Sequence, residues 1–298
     1  MLEDFKIGHA SNEKIKTGVT VILAPEKSTG GVSVRGGAPA TRETDLLKSE
    51  NLVSEVNAVV LSGGSAYGLE SCCGVMDYLR ENNIGFDSLG FKVPIVCGAS
   101  LFDLTVGEFG YPDKAMGYEA CKNAISGNFL SGNIGAGTGC SVGKSLGAKH
   151  AQKGGLGTAY LKIKDVEMAV IVAVNALGDV YDYESGRILA GANMAGVHMN
   201  TLKLSKSAGK MIKPNPGNTT IACLLTNAKL TKTQLNKLCD ISHDGFALAI
   251  RPTHTLFDGD AIFGLASNKT DADFTVLSIN FVRLVAEAVK NAVSFKKK

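Results

Sequence analysis

A threonine hydroxyl is a weak nucleophile until a base takes its proton, and a threonine at the head of a chain carries such a base in its own α-amino group. In the segment PNPGNTTIACLLTNAK, residues 214–229, Thr219 and Thr220 follow Pro-Asn-Pro-Gly-Asn and open a β-branched, apolar run. Turn chemistry before the threonines and strand propensity after them mark a seam between loose and rigid backbone. A chain broken in front of Thr219 would present a threonine amine held by the strand behind it, with Thr220 turned to the opposite face. Further on, Asp258 and Asp260 flank Gly259. In extended backbone that spacing puts both carboxylates on one side. Two like charges held close raise one pKa and can orient an ammonium, which suits amine and hydroxyl chemistry. By composition alone the same Asp-Gly-Asp reads as a solvated turn or a cation-binding loop.

Two other constellations fall one residue short. TGCSVGKS, residues 138–145, approaches a phosphate-binding loop, but Thr138 stands where the first glycine belongs and the preceding SGNFLSGNIGAG is too polar for the strand such a loop follows. LSGGSAYGLE places Ser65 at a strand-to-helix turn, as in a nucleophile elbow, but Tyr67 occupies the second glycine's place. Ser65 alone reads as a helix cap or a pocket-lining residue.

The elements that must position these residues follow from periodicity. Residues 17–25, 31–39, 57–64 and the run VPIVCGAS read as strands, and 67–82 as a helix after a glycine turn. AMGYEACKNAI reads as a second helix, and KGGLGTAYLKIK and residues 167–183 as neighbouring strands. From about 184 to 217 periodicity fades, and a long loop inside a domain is functional or disordered. TTIACLLTNA is a strand, residues 231–250 a helix capped by Thr231, and 271–295 an amphipathic helix. Long helices over strands that are apolar on both faces predict an α/β fold of four layers, an αββα sandwich, in a single domain over residues 1–298.

Composition narrows the function classes. With 298 residues, 45% apolar and 20% charged, the chain is globular, and 31 basic against 28 acidic residues, interspersed except for the terminal KKK, ask for no nucleic acid. No apolar run spans a bilayer and the first residues lack the build of a signal peptide, so the expected place is the cytoplasm. Seven cysteines without CxxC spacing read as buried free thiols, and five scattered histidines give no metal site.

The blocks GVTVILAP, VRGGAPATRETDLL, NAVVLSGGSAYGLE, VPIVCGASLFDL, NIGAGTGCSVGK, KGGLGTA, VNALGDV, NTTIACLLTNA and HDGFALAIRPTHTLFDGDAIFGLA, in that order, cover nearly the whole chain. Together they resemble the self-processing L-aminopeptidase/D-esterase family, which includes β-peptidyl aminopeptidases and nylon-oligomer hydrolases. The resemblance implies an αββα sandwich related to N-terminal-nucleophile hydrolases, acting on small peptides or amides without a cofactor. It also implies a precursor that cuts itself between Asn218 and Thr219 into residues 1–218 and 219–298, and homo-oligomers of those pairs, tetramers or larger. Thr219 would be the nucleophile, with Asn175 polarising a carbonyl or holding the new amino terminus. Asp258 and Asp260 would be the polar pair beside it, and Lys144 the lysine of the nylon-hydrolase branch. Asn175 and Lys144 also read as a buried hydrogen-bonding side chain and a surface lysine. Backbone N–H groups near Ser62, Gly63, Gly64 and Ser65, or of Gly135 and Gly137, would stabilise the oxyanion. Many relatives use serine, and the aminopeptidase branch has serine at the first position of the pair, so Thr219 with Asp258 lies closer to the nylon-hydrolase branch. Phe102 stands where some relatives have a tyrosine. An acyltransferase like the ornithine acetyltransferases, or an uncut binding protein, are the alternatives.

Overall fold

The computed structural model describes residues 2–208 and 217–295; most of the loose stretch before Thr219 (209–216) and the terminal lysines lie outside them. In chain order, the strands of the two main sheets are β1 (Lys6–Asn12), β2 (Thr17–Leu23), β3 (Thr29–Val34), β4 (Thr41–Arg42), β5 (Ala58–Ser62), β6 (Val96–Ser100), β7 (Ile125–Ser126), β8 (Gly155–Ile163), β9 (Val166–Asn175), β10 (Thr219–Ala228) and β11 (Ala261–Thr270). The helices are α1 (Ser71–Glu81), α2 (Lys114–Lys122), α3 (Thr201–Ala208), α4 (Lys232–Ala249) and α5 (Phe274–Asn291). One sheet runs β4-β6-β5-β2-β1-β7 and the other β8-β9-β10-β11-β3. Only β5 with β6 and β10 with β11 are parallel pairs within these sheets.

Strand alternation builds the layers. Along β10, Ile221, Cys223 and Leu225 enter the core between the sheets, where they join Ile22, Leu61, Ile171 and Phe263. Their neighbours Ala222 and Leu224 point the other way, into a core closed by Leu235 and Phe246 of α4 and Phe281 and Val285 of α5. On the far side, Val19, Val21 and Val60 pack under Cys72, Val75 and Leu79 of α1 and Cys121 of α2. Each sheet therefore buries both faces and each helix one apolar stripe, and the order helix, sheet, sheet, helix is the expected one.

Local signals fix the helix starts. The Thr231 hydroxyl and the Gln234 side chain form a reciprocal capping box at α4, while Asp113 and Asp273 accept from the N–H groups of Met116 and Val276 at α2 and α5. Four sequence expectations change. The first helix begins as a 3-10 turn, Ser65–Glu70. The 167–183 run breaks after Asn175, and a short strand, Asp179–Tyr181, follows. The stretch after 184 carries short strands at Ile188–Ala190, Asn193–Met194 and Val197–His198 and then α3, rather than one long loop. β1 escaped the sequence reading because only its first half is buried.

Candidate active site

β10 lies in the middle of its sheet, so its first residue is held from both sides. Asn175, the last residue of β9, pairs with Thr219, and Val174 with Thr220. On the other flank Asn218 bridges Asp258 before the parallel ladder begins at Ile221 and Ala261. Thr219 shares the inter-sheet side of the strand with Ile221, at the wall of a cavity of about 440 Å³ that Ser65, Ser100, Phe102, Thr105 and Phe257 help to line. Its hydroxyl donates to the Asn218 carbonyl at 2.5 Å, and the Gly259 N–H donates to the same oxygen at 2.9 Å. Glycine is required at 259, because a Cβ there would stand 2.8 Å from the Thr219 hydroxyl and from the Ala38 carbonyl. Gly217 has φ +124°, and a Cβ on it would strike the Phe102 ring at 2.6 Å.

Asn175 and Lys144 form one buried unit. The Asn175 amide donates to the Phe102 carbonyl at 2.8 Å, and its Oδ1 accepts from Lys144 Nζ at 2.7 Å and from the Ser141 N–H at 3.1 Å. Lys144 Nζ also donates to the carbonyls of Asn175 at 2.9 Å and of Gly217, two residues before Thr219, at 3.2 Å. Lys144 is buried, which removes the surface-lysine reading. Burial pulls its pKa down to about 7, against the nearby acidic groups Asp258 and Asp103 and three acceptors that favour the ammonium.

The two carboxylates have different neighbours. Asp258 accepts from the Thr255 N–H at 2.9 Å and the Thr255 hydroxyl at 2.5 Å; burial first and the charge of Asp260 second push its pKa up to about 6. Asp260 accepts from the Thr220 N–H at 2.7 Å, the Thr253 hydroxyl at 3.0 Å, the His254 N–H at 3.1 Å and His254 Nδ1 at 2.8 Å. The His254 ring stands 4.7 Å from that of His243 on α4, so this network sits beneath the strand, on the helix side.

The loops expected to supply oxyanion donors keep their N–H groups for themselves. Gly63 donates to the Gly18 carbonyl, Gly64 to Asp103, Ser65 to the Leu101 carbonyl, Gly135 to the Ser11 hydroxyl and Gly137 to the Ile134 carbonyl. The Ser62 hydroxyl is buried against Ser71, 3.4 Å away, and Ser65 lines the cavity. The N–H that meets the Asn218 carbonyl belongs to Gly259, which sequence reading passed over; the signal was a glycine between two acids just ahead of an apolar strand. All seven cysteines are free, with Cys73 half-buried and the rest buried. No cluster of three His, Cys, Asp or Glu side chains able to hold a metal occurs among the described residues, and no helix among them is long and apolar enough to cross a membrane.

Two sheets sandwiched between helices form a layered fold that solved structures share. An L-aminopeptidase D-Ala-esterase/amidase from Ochrobactrum anthropi, itself a variant of the Ntn hydrolase fold, superposes with a TM-score of 0.70 at 17% identity over 98% of this chain and 84% of its own. A Burkholderia β-aminopeptidase superposes with a TM-score of 0.68 at 18% identity over 97% and 82%. The chain belongs to peptidase family S58, whose model matches residues 2–295. It is 39% identical to an uncharacterised aminopeptidase of Mycobacterium leprae over 87% of this chain and 73% of that one. It is also 31% identical to the 6-aminohexanoate-oligomer endohydrolase of Paenarthrobacter ureafaciens over 95% and 80%. The protein is thus a peptidase or amidohydrolase.

Proposed function

We propose that the chain cuts itself between Asn218 and Thr219 and then hydrolyses small peptides or amides with Thr219 as an N-terminal nucleophile. The observation that carries this reading is the shared carbonyl: the Thr219 hydroxyl and the Gly259 N–H both converge on the oxygen of Asn218. A carbonyl polarised by a backbone N–H, with a hydroxyl already in contact, is the ground-state form of an intramolecular acyl shift. In that step Thr219 Oγ bonds to the Asn218 carbonyl carbon, its proton passes to a base, and the C–N bond breaks to leave an ester and a free Thr219 amine. Lys144, with a pKa near neutrality and a bond to Gly217, is the buried base at hand. Water then cleaves the ester, returning a carboxylate on Asn218 and the hydroxyl of Thr219.

In turnover the freed amine takes the Oγ proton, Oγ attacks the substrate carbonyl, and the proton passes to the leaving amine. Water hydrolyses the acyl-enzyme. Asn175 and Lys144 hold the segment carrying Gly217, and Asp260 holds the Thr220 N–H, so both sides of the new terminus stay in place. Asp258, whose backbone bridges that of Asn218 and whose carboxyl titrates near 6, is the carboxylate assigned to the new ammonium, which would share it with Thr255. The relatives' names supply candidate substrates, aminopeptides and 6-aminohexanoate oligomers, and the cut pairs assemble as homo-oligomers in the cytoplasm. Mass spectrometry with N-terminal sequencing of the purified protein tests the cut. Fragments 1–218 and 219–298, the second starting Thr-Thr-Ile-Ala, are expected; a chain that stays whole after prolonged incubation refutes it.

A further inference from the structure

One short loop holds both carboxylates at the head of β10. The Thr253 hydroxyl, the His254 N–H and His254 Nδ1 place three donors on Oδ2 of Asp260, at 3.0, 3.1 and 2.8 Å. The next residue, Thr255, places its N–H and its hydroxyl on Oδ2 of Asp258. Neighbouring residues can serve different acids because the backbone turns sharply at His254, where φ is +55°. A left-handed conformation strains a residue that has a Cβ, and it persists only where the surroundings hold it.

The ring of His254 makes one hydrogen bond and no other among the described residues. A carboxylate only accepts, so Nδ1 carries the hydrogen given to Asp260, while Nε2 is buried without a partner. The neighbouring ring, His243 on α4, stands edge to face against it and uses its own Nε2 on the Ser33 carbonyl. A buried nitrogen left unpaired is destabilising, so the ring's place depends on packing and on its bond to Asp260. Asp260 transmits that hold, because its other oxygen, Oδ1, accepts from the Thr220 N–H at 2.7 Å. The ladder between β10 and β11 begins only at Ile221. Ahead of it, Asn218 adds two bonds on the same flank, from its N–H to the Phe257 carbonyl and from the Gly259 N–H to its own carbonyl. A cut in front of Thr219 separates both from the strand. The Thr220 bond to Asp260 is then the first on that flank among the described residues.

We propose that His254 is a positioning residue for the reaction: by fixing Asp260 against the Thr220 N–H, it holds the neighbouring Thr219 hydroxyl where it can meet the carbonyl under attack. His254 touches no reacting atom and acts through Asp260 alone. The proposal rests on the reading of Thr219 as nucleophile.

Two substitutions separate the ring from the backbone. His254→Gly accepts the left-handed turn without strain and deletes the ring, whereas His254→Asn also tolerates the turn and offers an amide N–H as many bonds from the backbone as Nδ1. In the full chain, His254→Gly should slow self-cleavage, followed by mass in freshly translated protein, by at least ~10-fold, within the ~10²-fold cost of a 1 Å misplacement. The kcat on amino-acid p-nitroanilides should fall similarly with KM within about twofold, and His254→Asn should recover most of both losses. Wild-type rates in His254→Gly, a change confined to KM, or an Asn variant as slow as the Gly variant overturns the proposal. A glycine chain that fails to fold gives the ring a merely structural role and overturns it as well. Hydrogen exchange needs no substrate: the Thr220 amide should exchange at least ~10-fold faster in His254→Gly while Cys223, deeper in the strand, stays protected. Unchanged protection of Thr220 refutes the linkage even if the wild type neither cuts itself nor turns over the anilides. A Thr219→Ala chain that still hydrolyses them would sink the nucleophile reading and leave the exchange result standing, so the two failures are distinct.

Discussion

The two faces of β10 at its head differ as much as any two regions of the molecule. On the inter-sheet face, Thr219 meets a cavity, a glycine without a side chain and one carbonyl oxygen that receives two donors. On the helix face, one residue later, the backbone is tied through Asp260 to Thr253 and His254 in a dense buried network. The contrast separates two tasks. The crowded face fixes where the strand begins, and the open face leaves the Thr219 hydroxyl, the proposed nucleophile, room to meet an incoming carbonyl.

The contrast breaks hardest at the nucleophile itself. Thr219→Ala should leave the chain whole and lower amide hydrolysis by at least ~10⁴-fold, the scale of losing a nucleophile that acts as a unit with its base. Thr219→Ser should still cut. Gel mass and steady-state rates read both. Next in size, Asp258→Asn and Asp260→Asn should each lower turnover by at least ~100-fold, the range for a positioned acid or base. Turnover that survives in Asp260→Asn would show that the helix face matters only for stability.

The pH dependence sharpens the same comparison. Lys144 must be neutral to accept a proton, and its pKa of about 7 lies below the ordinary lysine value. Self-cleavage should therefore be slow at pH 5.5, rise through a midpoint near 7 and level off by pH 8.5, about one decade per unit on the acid limb. A Lys144→Gln chain that keeps the same profile would exclude it as the base. Ser65→Ala, at the rim, should leave turnover within about threefold, well under the ~100-fold of a positioned acid. Thr220→Val is the smallest change: its hydroxyl is buried with no partner among the described residues, so removing it should leave activity intact and raise the melting midpoint by about 2 °C.

How far these features were legible depends on whether they are local. The strand at 219–228, the Thr231 cap and the amphipathic α5 follow from residues a few positions apart, and they fold as read. The start of that strand at Thr219 was legible for the same reason, as turn residues meeting a β-branched run. What escaped is relational. Lys144 reads as a solvated lysine until the ends of β9 and the Gly217 segment bring three carbonyl or amide oxygens to it. Glycine loops such as 62–65 advertise N–H donors, but only the packed fold shows that Asp103 and the Gly18 and Leu101 carbonyls consume them. β1 hid because glycine, histidine, alanine and serine carry little hydrophobic signal; at Gly8 the bare backbone admits the Ala120 carbonyl.

The strand order β8-β9-β10-β11-β3 has a consequence for the proposed cut. Residues 219–298 supply β10 and β11, clasped between β9 and β3 of residues 1–218, through ladders running from Met168–Thr226 to Asn175–Thr219 on one edge and from Val34–Ala261 to Thr29–Ala266 on the other. A nick at Thr219 thus divides the covalent chain but not the sheet, much as removing one stitch leaves a woven cloth whole. Neither piece keeps a covered sheet without its partner, so dilution should not part them and only denaturant should. Made as separate polypeptides, the two would have to find each other while folding, and the small one, exposing two bare strand edges, would be the one to aggregate first.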